Sequence, residues 1–356
     1  MKKRVLLGMS GGVDSSVSAM LLKEDGYEVI GVTLELYEGS CCNVNTILDA
    51  KAVCQTIGIQ HITCNFKEEF QKKVIDNFID EYKHQRTPNP CIECNKYLKF
   101  GAMVQKAKEL NCDYIATGHY AKMEYSPMYQ RYVLKKANNR KKDQSYVLYS
   151  MPKELLGKVL FPLANFKDKS EIRQLAEEYH LKVAHKPDSE DICFITNRDY
   201  CDFLERNSSL RPKEGNIVNR KGEVLGKHKG LYRYTIGQRK GLGISYKVPL
   251  FVIGFRPERN ELVVGEENEI YQKEMMVHEI NLLLVDDITE KMEVMVKVRY
   301  SSKEEPATIE KVGPDTIRVV FKNPVARITP GQSAVFYRED MVIGGGKIME
   351  PCCWQA

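Results

Sequence analysis

Three cysteines in two short motifs are the side chains of this chain best suited to nucleophilic chemistry. Cys91 and Cys94 form a C-x-x-C pair, and Cys193 lies in the acidic segment 188–195. Two prolines just before the pair exclude continuous helix there, so Cys94 is expected near the start of the next helix, beside Lys96. A helix N-terminus and a neighbouring cation both lower the pKa of a thiol and favour the reactive thiolate. Acidic neighbours do the opposite, so Cys193 needs another activator, such as a bound sulfur or a metal.

The cysteine pattern does not describe a zinc site. A zinc site would need a partner for the C-x-x-C pair, yet the chain holds no second C-x-x-C and its 7 histidines show no ligand spacing. The chain also lacks an apolar stretch long enough for a signal peptide or a membrane span. We therefore predict a cytoplasmic protein without a membrane partner, whose 11 cysteines are catalytic, metal-binding or buried thiols.

A glycine-rich loop is the second chemical motif. The run Ser10-Gly11-Gly12-Val13-Asp14-Ser15-Ser16 follows an apolar strand pattern and opens a helical one. Such a loop aims backbone N–H groups and the positive end of a helix dipole at one point, which suits a phosphate. Asp14 is placed to orient Mg²⁺. The loop is not a Walker A motif, because the required spacing and lysine are absent.

The elements around this loop alternate between strand and helix. Strand patterns cover 5–8, 29–33, 59–64 and 114–117, and helical patterns cover 46–57, 70–82 and 98–110. Alternation of this kind predicts an α/β, Rossmann-like domain with a parallel sheet, in which ligands bind beyond the carboxyl ends of the strands. The glycine loop lies at that edge.

The rest of the chain predicts further domains. A hairpin pattern at 121–136 and a helix at 168–180 extend the first domain, with Asp168 and Glu171 as its capping pair. The composition turns polar near 206–216, and short alternating strands rich in glycine follow. We predict three domains: 1–208, a small β-rich module at 209–275, and a C-terminal β-barrel at 276–356.

The distribution of charge favours a polyanionic partner more than the net charge of +5 does. Residues 220–240 hold seven lysines and arginines against one acid, and residues 135–142 hold five against none. Clustered positive charge is the footprint of nucleic-acid binding. A solvated basic face explains either cluster alone equally well.

Taken in order, these motifs resemble the bacterial tRNA-specific 2-thiouridylases of the PP-loop ATP pyrophosphatase superfamily. The segments that carry the resemblance are 8–16, 87–100, 116–120, 142–146, 191–195, 235–243 and 329–337. A glycine loop alone would be typical of the superfamily only, whereas this ordered set is specific and spans almost the whole chain.

The resemblance implies an ATP-dependent enzyme that adenylates the O2 oxygen of the wobble uridine in tRNA. Cys193 would then receive sulfur as a persulfide from a sulfur-relay protein, and Cys94 would release it by forming a disulfide with Cys193. Sulfide is the alternative donor, for the iron–sulfur route described below. The implied ATP-binding residues are Gly8, Met9, Ser10, Gly11, Gly12, Val13, Asp14, Ser15, Leu34 and Gly118. The implied tRNA-binding residues are Asn89, Pro90, Cys91, His119, Lys142, Asp143, Gln144, Arg299, Tyr300 and Gln332.

One position departs from the family. Cys91 stands where the family usually has an acid, a plausible general base, so the role of that acid is in doubt here. Cys91, Cys94 and Cys193 could instead hold three irons of a [4Fe–4S] cluster, with the fourth iron open to sulfide. Alternatively, Cys91 is a spare thiol and the persulfide route is unchanged.

Two other classes of function share some of these features. A PP-loop ligase that adenylates a small metabolite would use the same loop, but it would need neither cysteine motif nor a basic β module. A non-catalytic RNA-binding protein would not need Asp14, Cys94 and Cys193. We expect a monomer; the sequence names neither the tRNA species nor the sulfur donor.

Overall fold

Strands and helices alternate through the first half of the chain, as the hydrophobic pattern predicts. The computed structural model describes residues 2–37, 44–188, 191–195 and 199–350. The strands of this half are β1 (Arg4–Gly8), β2 (Glu28–Glu35), β3 (Gln60–Asn65), β4 (Tyr114–Ala116), β5 (Ala121–Ser126), β6 (Arg131–Lys136) and β7 (Val159–Leu160).

Two of the helices contain a π-helical segment. Helix α1 is Val13–Glu24 and α2 is Val44–Ile57. Helix α3 runs through Lys67–Phe70, Gln71–Ile75 and Asp76–Lys83, and α4 through Pro90–Glu93, Cys94–Ala102 and Met103–Glu109; the middle segment of each is π-helical. Short α5 (Ser145–Leu148), the turn Lys153–Leu155 and α6 (Lys169–Glu178) follow.

The first sheet is parallel and has the strand order β3-β2-β1-β4-β7. Val5, Leu6 and Leu7 of β1 are fully buried, because helices cover both faces of the sheet. Helix α6 begins as predicted, with a capping box formed by Asp168 and Glu171. The predicted Rossmann-like class of this domain is confirmed.

The second half of the chain is mostly strand. It comprises α7 (Tyr200–Asn207), β8 (Gly215–Val218), β9 (Val224–His228), β10 (Phe251–Arg256), β11 (Glu261–Gly265), β12 (Tyr271–Leu282), β13 (Met292–Lys297), β14 (Glu305–Gly313), β15 (Thr316–Ala326), β16 (Ser333–Arg338) and β17 (Met341–Ile348), with 3₁₀ turns at Leu231–Arg233, Pro257–Arg259 and Glu267–Ile270. A four-stranded sheet has the order β10-β11-β8-β9. Strands β12-β15-β14-β13-β16-β17 close into a six-stranded barrel through the pairing of β12 with β17. The predicted β-rich module and β-barrel are confirmed as classes of fold.

The hairpin β5–β6 forms where the pattern predicts it, but it extends the barrel rather than the first domain. Lys135 pairs with Met341 at the start of β17, and the Lys136 backbone N–H donates to the Asp340 carbonyl at 2.8 Å. The pairing is confined to the start of β17, because residues 344–348 of that strand pair with β12. No helix among the described segments is long and apolar enough to cross a membrane.

Candidate active site

The glycine loop joins β1 to α1 and leaves the first turn of α1 open to a ligand. Gly12 caps the helix without any side-chain hydrogen bond, so the first N–H groups of α1 keep their donor capacity. The Ser15 hydroxyl accepts from the Ser10 N–H at 3.2 Å, and the Ser16 hydroxyl donates to the Gly12 carbonyl at 2.8 Å. These bonds fix a loop whose open donors suit an anion.

The other predicted ATP-binding residues lie at the same edge of the sheet. Leu34 is near the carboxyl end of β2, the parallel neighbour of β1. Gly118 follows β4, and a Cβ added there would lie 3.0 Å from the Asp14 carbonyl carbon and the Ser15 nitrogen. Gly118 therefore lets the chain after β4 pack directly on the glycine loop.

Gly11 is the glycine of this loop whose replacement by a larger residue is least tolerated. Its φ is +64°, and an added Cβ would lie 2.6 Å from the Thr46 carbonyl oxygen. We expect Gly11→Ala to lower the melting temperature by about 5 °C, because left-handed strain costs about 1–2 kcal/mol and the clash adds to it. ATP binding should weaken in parallel, and differential scanning fluorimetry with and without ATP measures both.

Gly12→Ala is the matched control for that substitution. Gly12 has φ −103°, and the nearest atom to an added Cβ is the Ser10 hydroxyl at 3.4 Å. This variant should melt within about 1–2 °C of the parent. Equal destabilisation by the two alanines would contradict the described loop conformation.

A network of charged side chains surrounds the loop. The Lys169 ammonium lies 2.6 Å from both carboxylate oxygens of Asp14, and the Tyr120 hydroxyl donates to Asp14 at 2.7 Å. Lys169 also pairs with Asp188 at 3.2 Å, and Lys142 pairs with Asp188 at 3.1 Å. Burial alone would raise the pKa of Asp188, but the hydrogen bonds from Lys142 and Lys169 outweigh it and lower the pKa.

Two more cations complete this network. The Arg173 guanidinium lies 3.3 Å from Asp188, and the Lys186 ammonium donates to the Gly11 carbonyl at 3.0 Å and to Asp49 at 2.9 Å. Of these cations only Lys142 was predicted from the sequence. Lys169 and Arg173 face the loop because α6 begins at the carboxyl edge of the sheet, just after β7, and this placement was the signal that could have identified them.

Cys94 and Cys193 belong to one aromatic cluster, although they are far apart in sequence. Cys94 is 8% exposed and Cys193 is half-buried, and Phe194 belongs to the same cluster. The Phe194 ring makes edge contacts with Phe70 and Phe78 at centroid distances of 5.7 and 5.3 Å. The segment with Cys193 is therefore anchored on helix α3.

Cys91 lies outside this cluster. It is exposed on the first turn of α4, where the Asn89 side chain accepts from the Cys91 N–H at 3.1 Å. Burial, Asp143 and Cys91, in that order, raise the pKa of Tyr300, which places the Cys91 thiol near the barrel residue Tyr300.

The three cysteines do not form a metal site in this conformation. Within residues 2–37, 44–188, 191–195 and 199–350, no three His, Cys, Asp or Glu side chains are grouped so that they could hold a metal ion. The [4Fe–4S] cluster considered from the sequence therefore stays a prediction.

The residues predicted to bind tRNA fall into exposed and internal groups. Tyr300 is 41% exposed, and Lys142 is in the charged network. His119 and Asp143 are buried: His119 bonds to the Thr117 hydroxyl at 2.8 Å, and Asp143 accepts from the Ser145 hydroxyl at 2.7 Å. The Gln144 side chain accepts from the Tyr120 N–H at 2.9 Å. In this structure His119 and Asp143 are internal hydrogen-bonding residues, and Gln144 contacts the backbone of Tyr120, whose hydroxyl in turn donates to Asp14.

All three predicted domains meet at Thr87, just before Asn89 and Pro90. The Thr87 N–H donates to the Pro330 carbonyl at 2.9 Å, and Gln332 donates to the Thr87 carbonyl at 2.7 Å. The Thr87 hydroxyl lies 3.4 Å from that of Thr235 in the β-rich module. The loop with Asn89 is therefore held by the barrel and the module together.

Arg299 strengthens this junction. Its guanidinium donates to the Ile236 carbonyl at 3.0 Å and to the Thr329 hydroxyl. The Arg299 Nε is buried and has no hydrogen-bond partner in the described part of the chain. Arg299 thus ties the module to the barrel.

The fold and this site define the chain as a nucleotide-binding α/β protein of the HUP class with two appended β domains. Family models match in the same order: "tRNA methyl transferase HUP domain" over residues 3–197, "tRNA methyl transferase PRC-barrel domain" over 201–266 and "Aminomethyltransferase beta-barrel domain" over 272–348.

Comparison with similar proteins narrows this class of protein to one family. The chain is 48% identical to the tRNA-specific 2-thiouridylase MnmA of Clostridioides difficile, over 98% of both chains. It is 47% identical to that of Acetivibrio thermocellus, over 98% of this chain and 99% of the relative. It is 45% identical to that of Carboxydothermus hydrogenoformans, over 98% of both chains. The chain belongs to the tRNA-specific 2-thiouridylase family.

Proposed function

We propose that this protein catalyses ATP-dependent 2-thiolation of the wobble uridine in tRNA through an adenylated intermediate. The observation that carries the proposal is that two motif thiols far apart in sequence, Cys94 and Cys193, belong to one aromatic cluster. A ligase for a small metabolite would not need this pair. The three domains we propose are 1–208 for ATP and the thiols, 209–275 for tRNA, and 276–356 as the barrel that supports the junction.

The first step activates the base. Uridine O2 is a poor leaving group, and its attack on the α-phosphorus of ATP converts it into a phosphate ester while pyrophosphate leaves. The glycine loop would hold the pyrophosphate portion through the N–H groups of α1. Asp14 would hold Mg²⁺ together with the phosphates, because Mg²⁺ is usually bound by one or two carboxylates plus substrate oxygens. Lys169 would then move from Asp14 to a phosphate oxygen.

The second step delivers sulfur. The outer sulfur of a Cys193 persulfide attacks C2 of the activated base, and AMP leaves with the former O2. The Cys94 thiolate then attacks the Cys193 sulfur, so that the new S–S bond joins Cys94 to Cys193 and the outer sulfur stays on the base. We assign no step to iron.

The target base has to leave the anticodon stack to reach these thiols. The loop with Asn89 and Pro90 is rigidly held at the domain junction and would line the pocket for that base. Tyr300 is exposed beside it and offers an aromatic face for stacking.

The exposed cations of the β-rich module would bind tRNA phosphates. Arg239 and Lys240 are both exposed there. We expect the double substitution Arg239→Gln and Lys240→Gln to weaken tRNA binding roughly tenfold at moderate salt and to reduce the salt slope by about 1–2. Filter binding over a range of salt concentrations measures both.

The control for charge alone is Lys3→Gln. Lys3 lies next to the amino end of β1, on the edge of the sheet opposite the glycine loop, and pairs with Asp113 at 3.0 Å. This variant should bind tRNA as the parent does. An unchanged salt slope in the double variant would exclude this face as a phosphate-binding surface.

One experiment tests the proposed function. Unmodified tRNA is incubated with the protein, ATP, Mg²⁺ and a donor of sulfane sulfur such as polysulfide, and the nucleosides are analysed by mass spectrometry. We expect a sulfur-for-oxygen gain on the wobble uridine, with AMP as the nucleotide product. Release of ADP with unmodified RNA, or pyrophosphate exchange that needs no RNA, would reject the proposal.

A further inference from the structure

We propose that Cys91 is a resolving thiol, which transfers the disulfide from the buried Cys94–Cys193 pair to an exposed Cys91–Cys94 pair. A thiol reductant in solution then reduces the exposed disulfide. The inference rests on the proposed function, because that reaction produces the Cys94–Cys193 disulfide.

Burial is the first observation behind this proposal. Cys94 is only 8% exposed, and Cys193 is partly buried against the same aromatic cluster. Thiol–disulfide exchange requires direct access of the attacking thiolate to a sulfur atom. In a disulfide between these two cysteines, the Cys94 sulfur would therefore be shielded from reductants in solution. Cys91 is exposed on the same helix, one turn before Cys94.

The local helix geometry suits a transfer between Cys91 and Cys94. Side chains three residues apart on a helix are neighbours, with Cβ atoms roughly 5–6 Å apart, and a small adjustment of the first turn reaches disulfide distance. The bond from the Cys91 N–H to the Asn89 side chain fixes where this turn begins. A C-x-x-C pair at the start of a helix also favours the thiolate of its first cysteine.

The position of Cys91 sets when the transfer can occur. Cys91 is exposed and directly follows Asn89 and Pro90, the residues proposed to line the target base. Bound tRNA would cover this thiol, so the transfer takes place after the product has left. The persulfide is thereby protected from Cys91 while the base is in place.

The transfer is an ordinary thiol–disulfide exchange, in which bonds, electrons and protons balance. The Cys91 thiolate attacks the Cys94 sulfur, the Cys91–Cys94 bond forms, and the Cys193 thiolate leaves and takes up a proton. A dithiol in solution then supplies two electrons and two protons and is itself oxidised to a disulfide. Cys193 is thus restored first and can accept new sulfur.

Disulfide mapping on the full-length protein tests the inference. The protein is oxidised with diamide, partly reduced with dithiothreitol, quenched with N-ethylmaleimide and analysed by peptide mass spectrometry, without ATP or tRNA. We expect a transient Cys91–Cys94 disulfide in the parent. In Cys91→Ser, reduction of the Cys94–Cys193 disulfide should be at least about tenfold slower.

Cys112→Ser is the control, since this half-buried thiol lies before the amino end of β4, away from the site. In this variant the Cys94–Cys193 disulfide should be reduced at the rate of the parent. Reduction of Cys91→Ser at that same rate would overturn the inference, and so would iron bound through Cys91 after anaerobic purification. Neither result would affect the thiolation assay, whose failure would instead reject the proposed function.

Discussion

Cys193→Ser is expected to lower tRNA thiolation at least about a thousandfold, because a serine hydroxyl cannot carry a transferable sulfur. The substitution is nearly isosteric and leaves the neighbouring Phe194 anchor in place. Binding of tRNA and ATP should therefore stay within about twofold of the parent. The measurements are 2-thiouridine formed per enzyme and tRNA affinity by filter binding.

Cys201→Ser is the control for this prediction. Cys201 is 9% exposed and lies in the same aromatic cluster, so the change introduces a hydroxyl into the same apolar surroundings without touching the proposed chemistry. We expect a lower melting temperature with retained thiolation. Thiolation by Cys193→Ser at the parent's rate would remove Cys193 from the sulfur route.

Local features of the site were predictable from the sequence, because each is set by neighbouring residues. The glycine loop follows from Gly11 and Gly12 between a strand and a helix, and the start of α6 follows from Asp168 and Glu171. The helix with Cys94 differs in its start: the pattern predicts it from residue 98, but it begins at Pro90. Asn89 caps it and proline is favourable in its first turn, so Pro88 precedes the helix and Pro90 is its first residue.

Features that depend on pairing between distant segments were not predictable. The alternation at 121–136 predicts a hairpin, yet nothing local indicates that β6 pairs with β17 of the barrel. The basic run 135–142 is also partly neutralised in three dimensions. Lys135 pairs with Asp340 at 3.2 Å and Lys136 with Glu304 at 2.7 Å. Charge clustering in sequence therefore overstated the positive surface there.

The expectation that Cys94 and Cys193 lie in one cluster came from the family resemblance and not from their spacing in the sequence. Its physical basis is the row of aromatic side chains on α3 and α7 that receives Phe194. Phe203 lies 5.0 Å from Phe194 and 6.1 Å from Phe78, ring centre to ring centre. Helical periodicity predicts that such residues are buried, but it does not predict which loop packs against them.

Lys169→Met is expected to lower the rate of AMP formation roughly 100–1000-fold, because it removes a preorganised cation from the phosphate site. Lys169 bridges Asp14 and Asp188 in this structure, and its side chain is 14% exposed. Arrival of ATP brings phosphate oxygens that compete for the same ammonium group. Methionine keeps the length of the side chain but loses its charge, so Asp14 would lose its ammonium partner, whereas Asp188 would keep Lys142 and Arg173.

The matched control is Lys167→Met, since Lys167 is exposed just before the same helix and its backbone N–H donates to the capping Glu171 at 3.1 Å. The control should form AMP at the parent's rate.

Rapid-quench measurements with saturating tRNA separate the chemical step from binding, and isothermal titration gives ATP affinity. If Lys169 acts on the phosphates, its loss must lower the rate even at saturating ATP, because the cation stabilises charge on the leaving pyrophosphate as well as on bound ATP. A variant with weaker ATP affinity but the parent's rate at saturation would limit Lys169 to binding, and an unchanged variant would leave the salt bridge to Asp14 as a purely structural contact.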